Sequence, residues 1–565
     1  MRGAVERWLP VVVLGALYWP GVTAWFFQDD FGWLNLRRDV HSPGQVAAAL
    51  FAPKAHGNLR PLGENAYWLG LGWAAGADPL PFHLAAFVTL AATLALLGSV
   101  VRRLSGSAAG ALAAQAVWLV NRGVAPVAGW SSIYNQALSG FFLLLAFWFL
   151  LRGNWTGQWA AFLLGLGALE INVVYPALAA AYALLFARNL LRRILPMFAV
   201  SAAAVWIHFH FAPPPGAGVY APSLDGRAFE TVWTYWKWVL GPLPVAAALA
   251  LTAGLAVATT VTAMRGKWLA VFGLLWFAIT LAPYLPLPEH RMDYYLAVPA
   301  IGLAMAGGAA VAWRGWTAAG LAIYLAASAP AAWRVTRWQH ARGEGVENLV
   351  LGVRAVHERA PERIVLLECI DTDLFWAGVA DLPFRTLEIP RVYLAPGAEA
   401  RIRAAPELLS KYVLPAALAR PAAAGGRAAL YCFDGETLHR ASWETLPVED
   451  EPRFVNLGDG VFQGYFGDGW RLEEDGLRTM DGTATVYIGG PRREGEALYI
   501  GVFETRDIGL RVWANGAGVG VGVASRGNDL TEFRAELPGG SVGQGRLEIR
   551  LRSERAARFG YLEIR

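Results

Sequence analysis

Two adjacent carboxylates, Asp29 and Asp30, stand in the run Trp25-Phe26-Phe27-Gln28-Asp29-Asp30-Phe31-Gly32-Trp33. Acids held side by side next to apolar sequence repel each other and lose hydration, which raises the pKa of one toward the range of a general base. A divalent cation is the other occupant such a pair accommodates. The plain alternative is a helix end marked by two solvated acids. Further along lie Arg60 in Asn58-Leu59-Arg60-Pro61-Leu62, Glu170 beside Ile171-Asn172, and the cluster Pro288-Glu289-His290-Arg291-Met292-Asp293-Tyr294-Tyr295. A carboxylate such as Glu170 between two apolar runs reads as a functional residue or as a surface turn.

The elements that must position these residues are helices in an apolar solvent. Residues 1–340 hold 21 Lys/Arg and 11 Asp/Glu, whereas 341–565 hold 27 and 33. About 9% of the first part is charged, against about 27% of the second, and soluble domains average roughly 25%. Apolar runs over approximately 9–28, 82–101, 107–122, 133–151, 157–170, 171–187, 194–212, 242–263, 268–286, 294–313 and 315–333 predict eleven transmembrane helices. Polar Glu170-Ile171-Asn172 is read as a tight turn between two of them. The basic residues sit singly between apolar runs and form no stripe along phosphates, which argues against nucleic acid.

Orientation follows from the short connections. Arg2, Arg7, Arg102, Arg103, Arg152, Arg188, Arg192, Arg193, Arg265, Lys267 and Arg314 fall on one side, which the positive-inside rule makes cytoplasmic. Arg37, Arg38, Lys54 and Arg60 in the first outer loop run against it. The N-terminus is then inside, the polar C-terminal part outside, and every acid of the membrane part except Glu6 faces outward. That first outer loop is expected to hold interfacial helices at 43–54 and around Tyr67-Trp68-Leu69-Gly70-Leu71.

A retained first helix, an acidic pair just outside it, interfacial helices, Arg60-Pro61-Leu62, a pre-span segment ending at Pro81-Phe82-His83 and an Arg-Tyr cluster before a late helix together resemble the GT-C superfamily. These are polytopic membrane glycosyltransferases using polyprenyl-phosphate sugars, such as the protein O-mannosyltransferases and the lipid A aminoarabinose transferase. The resemblance covers roughly residues 8–333. It departs from the mannosyltransferases at the acidic motif, where their Asp-Glu is Asp29-Asp30 here, so the acceptor class does not carry over. It implies an inverting transfer with Asp29 as base and Asp30 as its partner or an alternative base. Arg60, then Arg291, would take the lipid phosphate. His290, Tyr294 and Glu170 would support the donor or acceptor. The partners implied are a polyprenyl-phosphate-linked sugar, a glycan, lipid or protein acceptor, and the bilayer. No cofactor is implied beyond the divalent cation.

Some pairs invite a metal reading and lose it on geometry. His208 and His210 are two residues apart on a helical run, and such positions point away from each other. Trp233, Tyr235, Trp236 and Trp238 read as belt aromatics or as an acceptor-side lid.

In the polar part, residues 334–450 mix strands with helical stretches, a small α/β region, and 451–565 show short strands between Gly/Asp turns, a β-sandwich resembling a carbohydrate-binding jelly roll. Domains are therefore expected at 1–333, 334–450 and 451–565. Cys369 and Cys432, the sole cysteines, exclude a cysteine zinc site and leave one bridge, if the region lies outside the cytoplasm, or two free thiols. Two other function classes fit a chain of this kind. A flippase or transporter of lipid-linked glycan would favour mid-membrane charges and repeated halves. A noncatalytic scaffold would leave the acidic pair and Arg60 far apart and exposed.

Overall fold

The computed structural model describes residues 2–51, 59–211, 213, 220–223, 225–473, 476–480, 482–504, 506–527 and 530–565. Lys54 and Asn58 lie outside them. The chain forms two compact units, Met1–Glu344 and Gly345–Arg565.

The first unit is helical, and its helices fall on the apolar runs. Four of them are long and apolar enough to cross a membrane: Leu80–Ser105, Ser131–Arg152, Arg188–Phe211 and Val245–Met264. Shorter apolar helices include Ala108–Leu119, Glu170–Phe186, Leu269–Tyr284 and Pro299–Trp313. The runs predicted over 107–122, 268–286 and 294–313 became the shorter helices Ala108–Leu119, Leu269–Tyr284 and Pro299–Trp313, because turns and one-turn helices take up their ends, whereas the first helix runs from Arg2 to Val22.

The basic connections have a local cause. Arg102 and Arg103 occupy the last turn of Leu80–Ser105, where cations meet the negative end of the helix dipole, and Gly106 ends it in the left-handed region at φ 69°. Ser107 then caps the next helix by accepting from the Gly110 amide.

Small residues let the helices meet backbone to backbone, as expected where no hydrophobic force separates helix from lipid. Pro299–Trp313 is gripped on two sides. A side chain at Gly302 would strike the Gly273 carbonyl, and one at Gly308 the Gly110 carbonyl.

The first outer segment and the end of the last apolar run carry detail that hydropathy alone does not. In helix Tyr67–Ala75 the first turn faces protein: Tyr67, Trp68 and Leu69 are buried, with Trp68 and Tyr67 packed on Phe82. The last apolar helix does not stop near 333 but runs from Ala318 to Arg359, and the units divide at Glu344.

In the second unit β1 (Ile364–Glu368) pairs in parallel with β2 (Val392–Leu394) and β3 (Ala428–Phe433), while β4 (Leu438–Arg440) runs antiparallel to β3. Cys369 follows β1 and is disulfide-bonded to Cys432 on β3. The remaining strands are β5 (Phe454–Asn456), β6 (Trp470–Leu472), β7 (Arg478–Met480), β8 (Thr483–Ile488), β9 (Ala497–Val502), β10 (Arg511–Ala514), β11 (Ala517–Val519), β12 (Val521–Arg526), β13 (Thr531–Glu536), β14 (Leu547–Arg552) and β15 (Ala557–Ile564). They build two antiparallel sheets, ordered β11-β10-β14-β8 and β12-β13-β9-β15-β7-β6 with β5 on β15. Alternate residues of β8, β13 and β14 are buried, the mark of sheets with one covered face.

Candidate functional site

The acidic pair divides. Asp29 is exposed, while Asp30, the first residue of the short helix Asp30–Asn35, is fully buried. Gln28, immediately before them, has φ 58°, a left-handed conformation that costs a residue with a side chain of order 1 kcal/mol or more. Around this turn the aromatics form the seat: Phe26, Phe27 and Phe31 are buried, Phe26 meets Phe82 edge-on at 5.2 Å, and Phe27 stacks with Trp130 at 6.0 Å.

Asp30 spends its oxygens on the protein. One accepts from the Ser132 amide at 2.8 Å and the Ser132 hydroxyl at 2.6 Å, and the other accepts from the Phe27 amide at 3.2 Å. Burial pushes its carboxyl up to about 7, against the lowering effect of the Ser132 and Phe27 hydrogen bonds, and the charge of Asp29 adds to the rise. This group ties the Asp29 turn to the segment before helix Tyr134–Arg152.

A pH dependence follows. A carboxyl whose folded pKa is raised stabilises most below its ordinary value, and that stability is lost as pH climbs toward the raised one. Asp30→Asn keeps an acceptor for Ser132 and has no titration. We expect the melting temperature of the wild-type chain to fall relative to Asp30→Asn between about pH 4 and about pH 7. Parallel profiles for the two proteins would refute the buried assignment.

Arg60 is held between two acids. Its Nε donates to both Glu170 oxygens, at 2.8 and 2.9 Å, and its Nη1 pairs with Glu64. Asn135 donates to the same Glu64 carboxylate at 2.7 Å. Burial alone would lower the Arg60 pKa, but Glu170 and Glu64 hold it well above the usual value. Burial also raises Glu64, although the Arg60 guanidinium pulls it down. The approach depends on a glycine: Leu62 and Gly63 amides donate to the Gly167 carbonyl, and a Cβ at Gly63 would strike the Ala168 carbonyl.

The third component is the segment 286–296. Tyr295 stacks on Tyr284 at 4.1 Å and meets Tyr294 at 4.8 Å, and His290 lies against Tyr220 at 4.2 Å. Trp130 meets Tyr294 edge-on at 5.9 Å. Arg291 pairs with Glu230 at 2.8 Å, Arg227 with Glu289 at 2.5 Å, and Arg122 with Asp293 at 3.1 Å. Two of these pairs tie helix Arg227–Val239 to the segment, with the charges reversed between successive turns.

These components share one electrostatic environment. Burial raises the Tyr220 pKa, the Asp29 charge adds to the rise and Arg60 opposes it. Tyr294 also feels Asp29, and Tyr295 feels Arg60 and Glu170. Asp29, Arg60, Glu170, His290 and Tyr294 are thus brought together from four separate stretches of chain, while Arg291 faces helix Arg227–Val239. Among the described residues no three His, Cys, Asp or Glu groups gather as a metal site. His208 and His210 share helix Leu191–Phe211, where Trp206 stacks on His210 at 5.4 Å.

Glu64, Ser132, Asn135, Trp130 and Arg122 join these residues without standing out in the sequence. For Glu64 a signal existed: it lies four residues after Arg60, the spacing of a helical ion pair. Ser132, Asn135 and Trp130 are polar or aromatic residues at the mouth of an apolar run, and nothing local marks them.

No family model matches the chain, and no curated protein matches it. Among solved structures, it is similar to ArnT from Cupriavidus metallidurans bound to undecaprenyl phosphate, at 12% identity and a TM-score of 0.44, over 69% of this chain and 86% of that one. It is also similar to the arabinofuranosyltransferase AftD from mycobacteria, at 13% identity and a TM-score of 0.43, over 99% of this chain and 58% of that one. Both scores fall below 0.5, and the functional reading rests on the site itself.

Proposed function

We propose that the chain is an inverting membrane glycosyltransferase of GT-C type, moving a sugar from a polyprenyl-phosphate donor to an acceptor hydroxyl at the outer face of the cytoplasmic membrane. The observation that carries this reading is an exposed carboxylate, Asp29, sharing its environment with a wall of tyrosines and with Arg60. A scaffold has no use for that convergence. Asp29 takes the proton of the acceptor hydroxyl, the oxygen attacks the anomeric carbon, and the bond from that carbon to the phosphate oxygen breaks as polyprenyl phosphate leaves. Asp30 holds the turn from beneath.

Of the two arginines, Arg291 is the better phosphate ligand. Its partner Glu230 is 63% exposed, and such a surface pair is worth about 0–1 kcal/mol, little to displace. Arg60 already carries two carboxylates and acts as the strut between Glu64 and Glu170. Tyr294, Tyr295, Tyr220 and His290 offer faces and hydroxyls to the sugar. The disulfide supports an extracytoplasmic second unit, because such bonds persist in oxidising compartments. The two antiparallel sheets are read as an accessory module for a glycan acceptor.

The test is transfer by the purified full-length chain in lipid nanodiscs, supplied with radiolabelled polyprenyl phosphates bearing a hexose, a pentose or an amino sugar. Release of polyprenyl phosphate with a sugar appearing on an acceptor is expected for one class. Facilitated movement of these lipids across proteoliposomes without cleavage would replace the transferase reading by the flippase one.

A further inference from the structure

We propose that Arg342 is a positioning residue for the transfer, locking the strained turn at Gln28 that presents Asp29. The proposal rests on the transferase reading for its kinetic part and on contacts within the first unit for its structural part.

Gln28 cannot hold φ 58° through local preference, since a side chain disfavours that region. Something must over-determine it. On the chain's own backbone, Phe31 donates its amide to the Gln28 carbonyl at 3.1 Å. From 314 residues away, Arg342 Nη1 donates to the Gln28 side-chain Oε1 at 2.9 Å. The same guanidinium lies over the ring of Phe27 at 5.3 Å and that of Trp338 at 5.1 Å, so a planar cation is sandwiched against the residue preceding Gln28.

The helix that bears Arg342 is itself fixed to this loop. Gly343 packs on Trp25 so closely that a Cβ would lie 2.7 Å from its amide nitrogen and 2.8 Å from its carbonyl oxygen. Gln339 is buried and donates to the Pro126 carbonyl at 3.0 Å. His340 Nδ1 meets the Thr23 hydroxyl at 3.4 Å. His340, Arg342 and Gly343 therefore touch the acidic loop at Thr23, Trp25, Phe27 and Gln28, and Arg342 is the contact nearest Asp29 in sequence.

The consequence for the reaction is geometric. A base works only within hydrogen-bond reach of the proton it takes, and a displacement near 1 Å costs about 100-fold in rate. With the Gln28 side chain released, the turn can relax out of the left-handed region and carry Asp29 with it. Loss of Arg342 should then lower kcat and leave the donor KM in place, because the lipid and phosphate contacts are elsewhere.

The experiment is a double-mutant cycle on the full-length chain in nanodiscs, using Arg342→Met, Gln28→Ala and the pair, with Arg342→Lys as the conservative variant. Two readouts are taken: turnover of whichever polyprenyl-phosphate sugar of the panel the wild-type chain uses, and amide hydrogen exchange of peptides over 25–33. We expect each single variant to lower kcat about 10- to 100-fold with KM unchanged, the double variant to be no worse than either, and Lys to recover part of the loss. Exchange over 25–33 should quicken several-fold in both single variants, with 227–239 unchanged. Losses that multiply in the double variant, or unchanged exchange over 25–33, would overturn the proposal. So would quickened exchange with kcat intact. If the wild-type chain transfers no sugar, the transferase reading fails on that result alone, and the exchange of 25–33 still decides whether Arg342 locks the turn.

Discussion

Asp29→Asn is expected to lower kcat for sugar transfer by about 100- to 10,000-fold, the range for loss of a general base. The donor KM and the melting temperature should stay close to wild type. The side chain is exposed, and substitutions at such positions usually change stability by no more than about 0.5 kcal/mol. Asn keeps its shape. The effect should also respond to acceptor chemistry: an acceptor whose hydroxyl is already acidic needs less help, and should suffer less from the change. Kinetics of purified wild-type and variant chains with two acceptors of different hydroxyl pKa check this. A variant retaining half its kcat would remove Asp29 from the chemistry and with it the proposed mechanism.

Arg60→Met should instead strike stability. The three side chains of this group are 19% (Arg60), 4% (Glu64) and 26% (Glu170) exposed, and removing the single cation leaves two acids facing each other. Breaking a buried pair from one side costs about 3 kcal/mol or more, chiefly through the charge left behind. The pH dependence has a definite sign. Without Arg60, Glu64 loses the group that pulls its raised pKa down, so its folded pKa rises further. The variant's deficit therefore grows as pH rises above the ordinary carboxyl range and shrinks in acid. Arg60→Met/Glu64→Gln/Glu170→Gln, which removes both carboxylates, should recover more than half of the loss. Thermal unfolding in nanodiscs at about pH 5 and about pH 8 measures all of this, and a deficit that shrinks toward alkaline pH would contradict the assignment.

Much of the framework was legible because hydropathy and turn chemistry act locally. The strand Thr483–Ile488 follows from its alternation, and the one-turn helix Glu170–Val174 falls on the polar turn between two apolar runs. The reach of the last helix was not legible. Its apolar run ends near 333, yet Val346, Leu349, Val350 and Val353 are buried in the second unit, so the helix continues on a different solvent's terms. Of the candidate site, some residues could be singled out one by one, and their pairings could not. Arg60 and Glu170 stand 110 residues apart, Asp30 and Ser132 102, and Gln28 and Arg342 314, and no local pattern relates such residues. The contrast between Asp29 and Asp30 belongs to the same class: it is set by Ser132, which arrives from another helix.

The glycine-gripped helix Pro299–Trp313 has 15 residues and is thus about 22 Å long, against roughly 30 Å of hydrocarbon in a typical bilayer. A helix that short cannot match the membrane by tilting, which only shortens its reach. Either the bilayer thins around it, or the non-helical backbone at its ends sits at the depth of the lipid tails, shielded by protein. The segment at its N-terminal end is 286–296, with His290, Tyr294 and Tyr295. Hydrophobic mismatch would then bring the lipid headgroups down toward these residues, so that a donor with its tail in the bilayer need not be lifted out of it to react. On the proposed reading, membrane thickness becomes a variable of the transfer, and turnover should depend on the acyl length of the surrounding lipid.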